Sequence, residues 1–168
     1  TFNGGVTADF TIDAGTLELT NSAALGNTIN ANLATVTVNA GGAFYYSGVA
    51  GTVANNLTLN GGTLSAGTAT QIYSGTVNVS GNSSINLRDG NSAVITTAAQ
   101  SITLTGVLSG SGRLTVDSVN TLTGGNAETG TLTINNLANT WNGELAFERG
   151  TVDFTSTPTS AANAGHVG

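Results

Sequence analysis

Short segments in which apolar and polar residues alternate recur along the chain at intervals of about twenty residues. In each segment two apolar residues flank one polar residue, and the pairs are Leu17/Leu19, Val36/Val38, Leu57/Leu59, Val77/Val79, Ile102/Leu104, Leu132/Ile134 and Val152/Phe154. Because successive side chains of a strand point to opposite faces, this alternation predicts strands with one buried face. A period near 20 is typical of a solenoid.

A second series of apolar residues lies between these pairs and predicts further short strands. Its members are Phe10/Ile12, Phe44/Tyr46, Leu64, Ile85/Leu87, Leu108 and Leu145/Phe147. Gly-rich turns, such as those at 40–42 and 60–62, separate the strands. Two or three strands in each repeat favour an all-β parallel β-helix (β-solenoid) of about 7–8 rungs near 20 residues each, where a rung is one circuit of the chain. A sandwich would need mainly hairpin turns.

The polar residues of the repeats are expected to stack on the outer surface in two columns. One column is Glu18, Thr37, Thr58, Asn78, Thr103, Thr133 and Asp153, and its neighbour is Thr16, Thr35, Asn56, Thr76, Ser101, Thr131 and Thr151. Like charges stacked about 4.8 Å apart would repel, whereas Thr and Asn can form hydrogen-bonded ladders.

The opening segment 1–19 and the closing segment 140–154 share a pattern. Each has an aromatic-Asn-Gly turn and, later, the order Gly-Thr-aliphatic-acid-apolar. If the two occupy equivalent positions, both ends expose open strand edges, which predicts end-to-end contacts. We expect one continuous β-helix over 1–155, a protruding loop over 118–130, and a polar tail or the start of a next repeat over 156–168.

Composition and charge narrow the range of partners. The 168 residues are 39% apolar and 7% charged, with a net charge of −6 and only Arg88, Arg113 and Arg149 as cations. A chain with so few cations lacks the basic surface that nucleic-acid binding or docking on an anionic membrane needs. No apolar run approaches the roughly 20 residues of a spanning helix, so direct membrane insertion is not expected.

The charged residues also test the strand phase, since a wrong phase would bury ions. Nine fall on the outward phase: Asp9, Asp13, Glu18, Arg88, Arg113, Asp117, Glu144, Glu148 and Asp153. Asp89, Glu128 and Arg149 are expected in Gly-rich turns. The chain contains no Met, so we expect a processed or excised piece, and with no Cys it has neither disulfides nor thiolate metal sites.

Side chains with catalytic potential are few. The single histidine, His166, lies in a Gly/Ala tail without a neighbouring acid and is interpreted as a solvated residue. The carboxylate pairs Asp9/Asp13 and Glu144/Glu148 would lie about 13 Å apart along a strand, beyond the roughly 5 to 9.5 Å of glycosidases. We therefore predict no catalytic, cofactor-binding or metal site, no cofactor and no enzyme activity, while a pairing of carboxylates across rungs stays open.

Two other functions of the outer surface, sugar binding and ice binding, stay open. Trp141, Tyr45, Tyr46 and Tyr73 can stack on sugars, although aromatics at β-helix turns more often cap the core. The Thr columns also resemble an ice-binding face, but Asn and acidic residues interrupt them, and Thr is common on any half-exposed strand.

Two stretches of the chain contain short motifs in a characteristic order. They are NSAALGN at 21–27, followed by VTVNAGGAF, and LSGSGRLTV with TGTLTINNLANTWNGELAFERGTVDF within 106–154. This order resembles the autotransporter-associated β-strand repeat of bacterial surface proteins. Departures are Trp141 where Tyr is common, the 118–130 insert, and residues 163–165. The resemblance implies a right-handed parallel β-helix passenger region, exported by the type V route and displayed at the outer membrane of a Gram-negative bacterium.

Together these features predict a non-enzymatic structural or adhesive segment of a bacterial cell-surface or secreted protein, acting as a spacer, adhesin or self-associating rod. Expected partners are copies of itself or further repeats of the same chain, stacked end to end or side by side, and surface glycans or host and abiotic surfaces. The alternatives are a carbohydrate-active β-helix enzyme and an ice-binding, Thr-rich solenoid.

Overall fold

The chain folds entirely from short strands in the part that the computed structural model describes, namely residues 8–22, 24–25, 33–47, 51–67, 70–89, 100–118 and 130–155. These residues contain sixteen strands and no helix, which confirms the predicted all-β class. In chain order the strands are β1 (Phe10–Ile12), β2 (Gly15–Leu19), β3 (Val36–Asn39), β4 (Gly42–Tyr46), β5 (Gly51–Val53), β6 (Leu57–Asn60), β7 (Thr63–Ala66), β8 (Gln71–Tyr73), β9 (Val77–Val79), β10 (Ser83–Asp89), β11 (Ser101–Leu104), β12 (Leu108–Gly110), β13 (Leu114–Asp117), β14 (Thr131–Ile134), β15 (Leu145–Phe147) and β16 (Thr151–Phe154).

The strands form three parallel sheets that the chain visits in turn. Sheet A contains β1, β3, β6, β9 and β12; sheet B contains β2, β4, β7, β10, β13 and β15; sheet C contains β5, β8, β11, β14 and β16. All pairings between these strands are parallel. Each circuit of the chain therefore adds a new strand next to the previous one in a sheet, as in a β-solenoid.

Apolar side chains stack in register through the interior. In sheet A, Val36 pairs with Leu57, Leu57 with Val77, and Val77 with Leu108, and all four are buried. Their neighbours along each strand are partly or fully exposed, as the alternation predicts. Because each rung covers the next, each such side chain contributes about 1.5–3 kcal/mol relative to exposure.

Glycines form the tight corners between the sheets. Gly41 and Gly61 have φ values of 91° and 88°, a left-handed conformation that confirms the turns predicted at 40–42 and 60–62. At another corner the rungs approach so closely that a Cβ on Gly106 would lie 1.8 Å from the carbonyl oxygen of Gly75. The column of Gly81, Gly112 and Gly143 is similarly tight.

The prediction that the apolar pairs form a single series is wrong, because the pairs divide among the three sheets. Leu17/Leu19 lie on β2 in sheet B, Val36/Val38 on β3 in sheet A, and Ile102/Leu104 on β11 in sheet C. Strands with the apolar-polar-apolar pattern occur in all three sheets, so a spacing near 20 residues does not say which sheet a pair joins. The two predicted outer columns divide in the same way.

The predicted equivalence of the opening and closing segments is also wrong. Gly15–Leu19 forms β2 in sheet B, whereas the matching pattern at 150–154 contains β16 in sheet C. The shared residues produce the same local strand. Its place in the circuit depends on how many strands precede it.

The charged residues largely follow the predicted phase. Among the residues whose side chains are described, no Asp, Glu or Arg is buried. The prediction that Asp89 lies in a turn is wrong, since it is the last residue of β10. Residues 119–129, which include Glu128, and residues 156–168 lie outside the described ranges. The protruding loop, the tail and the single domain over 1–155 therefore stay predictions.

Candidate functional site

The outer face of sheet A carries an unbroken column of neutral polar side chains. Thr11 pairs with Thr37, Thr37 with Thr58, Thr58 with Asn78, and Asn78 with Ser109. The Ser109 hydroxyl donates to Asn78 Oδ1 at 3.5 Å. Unlike the column predicted from the sequence, this one contains no charged residue, because Glu18 and Asp153 belong to sheets B and C.

A second ladder follows the corner between sheets A and B. Asn60 Nδ2 donates to Asn39 Oδ1 at 2.9 Å, and Asn39 Nδ2 donates to Asp13 Oδ1 at 2.7 Å. The amide of Asn39 both accepts and donates, so the ladder links three successive rungs and fixes their register. The carboxylate of Asp13 suits the last position, since it can only accept.

The acidic residues near the start of the chain have structural partners on the next rung. Asp9 Oδ1 accepts from the backbone N–H of Thr35 at 2.8 Å, and Glu18 Oε1 accepts from the Ser47 hydroxyl at 2.5 Å. Two asparagines make the same kind of bond as Asp9: Asn56 Oδ1 accepts from the backbone N–H of Thr76, and Asn139 Oδ1 accepts from that of Leu108. These hydrogen bonds link successive rungs, and they do not bring the carboxylates of Asp9 and Asp13 together.

Ion pairs join the last two rungs of sheet B. Arg113 Nε lies 3.5 Å from Glu144 Oε1, and Arg149 Nε lies 3.3 Å from Asp117 Oδ1. Glu144 and Glu148 occupy the two flanks of β15. Since both Arg side chains are nearly half exposed, solvent screens these pairs strongly.

The interior contains polar groups that the sequence patterns missed. Asn55 is buried and its Nδ2 donates to the carbonyl oxygens of Leu25 and Ala34, at 3.0 and 2.8 Å. Gln71 is buried on the inner face of β8, where its Nε2 donates to the Tyr46 carbonyl. Both occupy positions at which an alternating pattern predicts an apolar or a turn residue, so pattern reading had no signal for them.

The three tyrosines are core residues. Tyr45, Tyr46 and Tyr73 are each at most 3% exposed, so none of them presents a sugar-stacking face. Tyr73 meets Phe44 edge to face, with ring centroids 6.3 Å apart. Burial raises the pKa of the Tyr73 hydroxyl far above its ordinary value, and the nearby Tyr46 adds to the rise. Trp141 is partly buried, and its Nε1 donates to the Gly112 carbonyl at 3.0 Å.

An apolar surface lies on the terminal strands β15 and β16. The alternation predicts that Phe147 and Phe154 face the core, but the two side chains are 51% and 50% exposed. Their in-register partners, Val116 and Ile134, are buried. The two rings therefore have the inward phase and are exposed because no described strand covers them. We call Phe147 and Phe154, with Leu145 and Val152 beside them, the apolar end.

The described residues offer neither a metal-binding cluster nor a membrane-spanning helix. The described residues hold no group of three or more His, Cys, Asp or Glu that could bind a metal ion, and His166 lies outside them. Nor does any helix in those ranges have the length and apolarity to cross a membrane. No protein-family model, curated protein or solved structure matches the chain.

Proposed function

We propose that this chain is a non-enzymatic structural or adhesive segment that acts as a spacer, adhesin or self-associating rod. The observation that supports the proposal most is the in-register stacking of neutral side chains along sheet A, from Thr11 to Ser109. Such a face repeats the same donors and acceptors at every strand, which favours contact with extended partners. A lack of charge also removes the repulsion that normally keeps exposed sheets apart.

The finer architecture and the location belong to the same proposal. We propose a right-handed winding and retain the expected count of about seven to eight rungs; the described residues contribute up to six strands to one sheet. The resemblance to the autotransporter-associated β-strand repeat supports display at the surface of a Gram-negative bacterium. Copies of the chain, surface glycans, and host or abiotic surfaces are the proposed partners.

The test measures shape and adhesion on the 168-residue chain. Small-angle X-ray scattering should give the profile of an elongated rod. A quartz crystal microbalance should show adsorption to silica, polystyrene or a layer of the same chain. Replacing Thr37 and Thr58 by Glu adds negative charge to the sheet A face without touching the core, and should reduce adsorption if that face is adhesive.

Matched substitutions on another face serve as the control. Thr52→Glu and Thr103→Glu add the same charge to sheet C and should have a smaller effect on adsorption. A rod that does not adsorb would leave only the spacer role. A compact, nearly spherical scattering profile, or turnover of oligosaccharides, would contradict the proposal.

Sheet C offers a second candidate, ice binding. Ser101, Thr131 and Thr151 form one column, and Thr103, Thr133 and Asp153 form the adjacent column. Paired hydroxyl columns of this kind can order water, although Ile72 continues the second column and Asp153 ends it. Thermal hysteresis measured with and without Thr131→Lys distinguishes this function, since an ice-binding face should lose its activity.

A further inference from the structure

The apolar end requires a strand that brings further alternating apolar residues. The next residues of the chain, 156–168, include a single branched aliphatic, Val167, so they contain no apolar-polar-apolar pair of the kind found in the core strands. At the other end of the stack, β1 and β2 are the last described strands of sheets A and B. They carry Phe10 and Leu17, which are partly exposed and pack against the core.

We infer that a second copy of this chain docks head to tail, with its β2 adding to β15 at the apolar end. The inference rests on the proposed self-association and names the surfaces that would carry it. All strands run parallel, so the two ends of the stack present matching strand directions, and one end can continue the other. Such a contact joins different surfaces on the two copies and can therefore repeat.

The pairing within sheet B defines the register of the docked strand. From Leu17 the paired positions are Phe44, Leu64, Ile85, Val116 and Phe147. Continuing this register places Leu17 of the second copy against Phe147. It also places Glu18 of that copy beside Glu148, one residue further along both strands.

Two carboxylates directly opposite each other on neighbouring strands oppose docking. The nearby cations are already engaged, since Arg149 pairs with Asp117 and Arg113 with Glu144. Glu18 accepts a hydrogen bond from Ser47, which leaves its charge in place. We therefore expect weak association at neutral pH and low salt, and tighter association when either glutamate is neutralised.

The experiment is sedimentation velocity on the full 168-residue chain over a range of concentrations at pH 7. Glu148→Gln should lower the dissociation constant about fivefold, and Glu18→Gln should have the same effect. Asp153→Asn is the matched control. It removes a carboxylate from the same end, but residues 19–88, which follow Glu18 in the chain, contain no acid to oppose it. Phe147→Ser should weaken association about tenfold, with circular dichroism confirming that the variant is folded.

The inference is supported if both glutamine variants associate more tightly than the Asp153→Asn variant and the serine substitution reverses the gain. Equal effects of all three charge substitutions would overturn it, since net charge alone would then explain the gain. So would association that survives Phe147→Ser, or no association in any variant. In these cases a rod-shaped scattering profile would leave the proposed structural role standing, whereas a globular profile would remove that role as well.

Discussion

Replacing Gly106 by Ala tests how closely the rungs approach at a corner. The added Cβ would lie 1.8 Å from the Gly75 carbonyl oxygen and 2.8 Å from that of Ser74. A comfortable carbon–oxygen contact is about 3.3 Å, so the rungs must separate by roughly 1.5 Å, about a third of the strand spacing. Gly106 has no positive φ, so the cost is steric.

Three terms set the expected loss of stability. Overpacking costs about 1–3 kcal/mol, and the strained backbone bonds from Thr105 and Gly106 to the Tyr73 carbonyl add about 0.5–1.5 kcal/mol each. The smaller entropy of the unfolded alanine chain offsets about 0.4–1 kcal/mol. We expect Gly106→Ala to lower the free energy of unfolding by about 2–4 kcal/mol.

Urea denaturation followed by far-ultraviolet circular dichroism measures this change. Ser74→Thr adds one methyl group at an exposed neighbouring residue and should shift the free energy of unfolding by less than about 0.5 kcal/mol. If Gly106→Ala proves no more destabilising than Ser74→Thr, the close approach of the two corners is refuted.

Three further substitutions test the core, the buried tyrosine and the ladder. Leu64→Ala should cost about 2–5 kcal/mol, while the same change at Leu137, which is 51% exposed, should cost under about 1 kcal/mol; equal urea midpoints would contradict the burial pattern. Burial in the folded state raises the pKa of Tyr73, so the unfolded chain loses the tyrosine proton first, and the free energy of unfolding should be constant below about pH 10 and fall above it. Tyr73→Phe should flatten that alkaline decline, and an unchanged pH profile would argue against burial of the hydroxyl. Asn39→Asp would set a carboxylate against Asp13, so its thermal midpoint should drop in low salt and partly recover in about 1 M salt, which screens the repulsion; a loss that is equal at both salt concentrations would refute the ladder.

The sequence predicts those features of the fold that depend on residues close together along the chain. Alternation predicted the apolar-polar-apolar strands, and Gly41 and Gly61 predicted turns, because both signals depend on neighbours along the chain. The phase of the charged residues followed for the same reason. The sequence predicts no catalytic site and places Asp9, Asp13 and Glu18 on the outward phase, but it gives no signal for their hydrogen-bond partners on the next rung.

Only the tertiary structure decided which strands are neighbours. It placed Leu17/Leu19 in sheet B and Ile102/Leu104 in sheet C, although their local patterns are alike, because pairing depends on the length of every corner between them. It also placed the Asp13 carboxylate against Asn39, 26 residues away. Above all, it distinguished the inward phase from burial: Phe147 points inward like Val116, yet it is exposed because a side chain in a stack is buried only when another rung covers it.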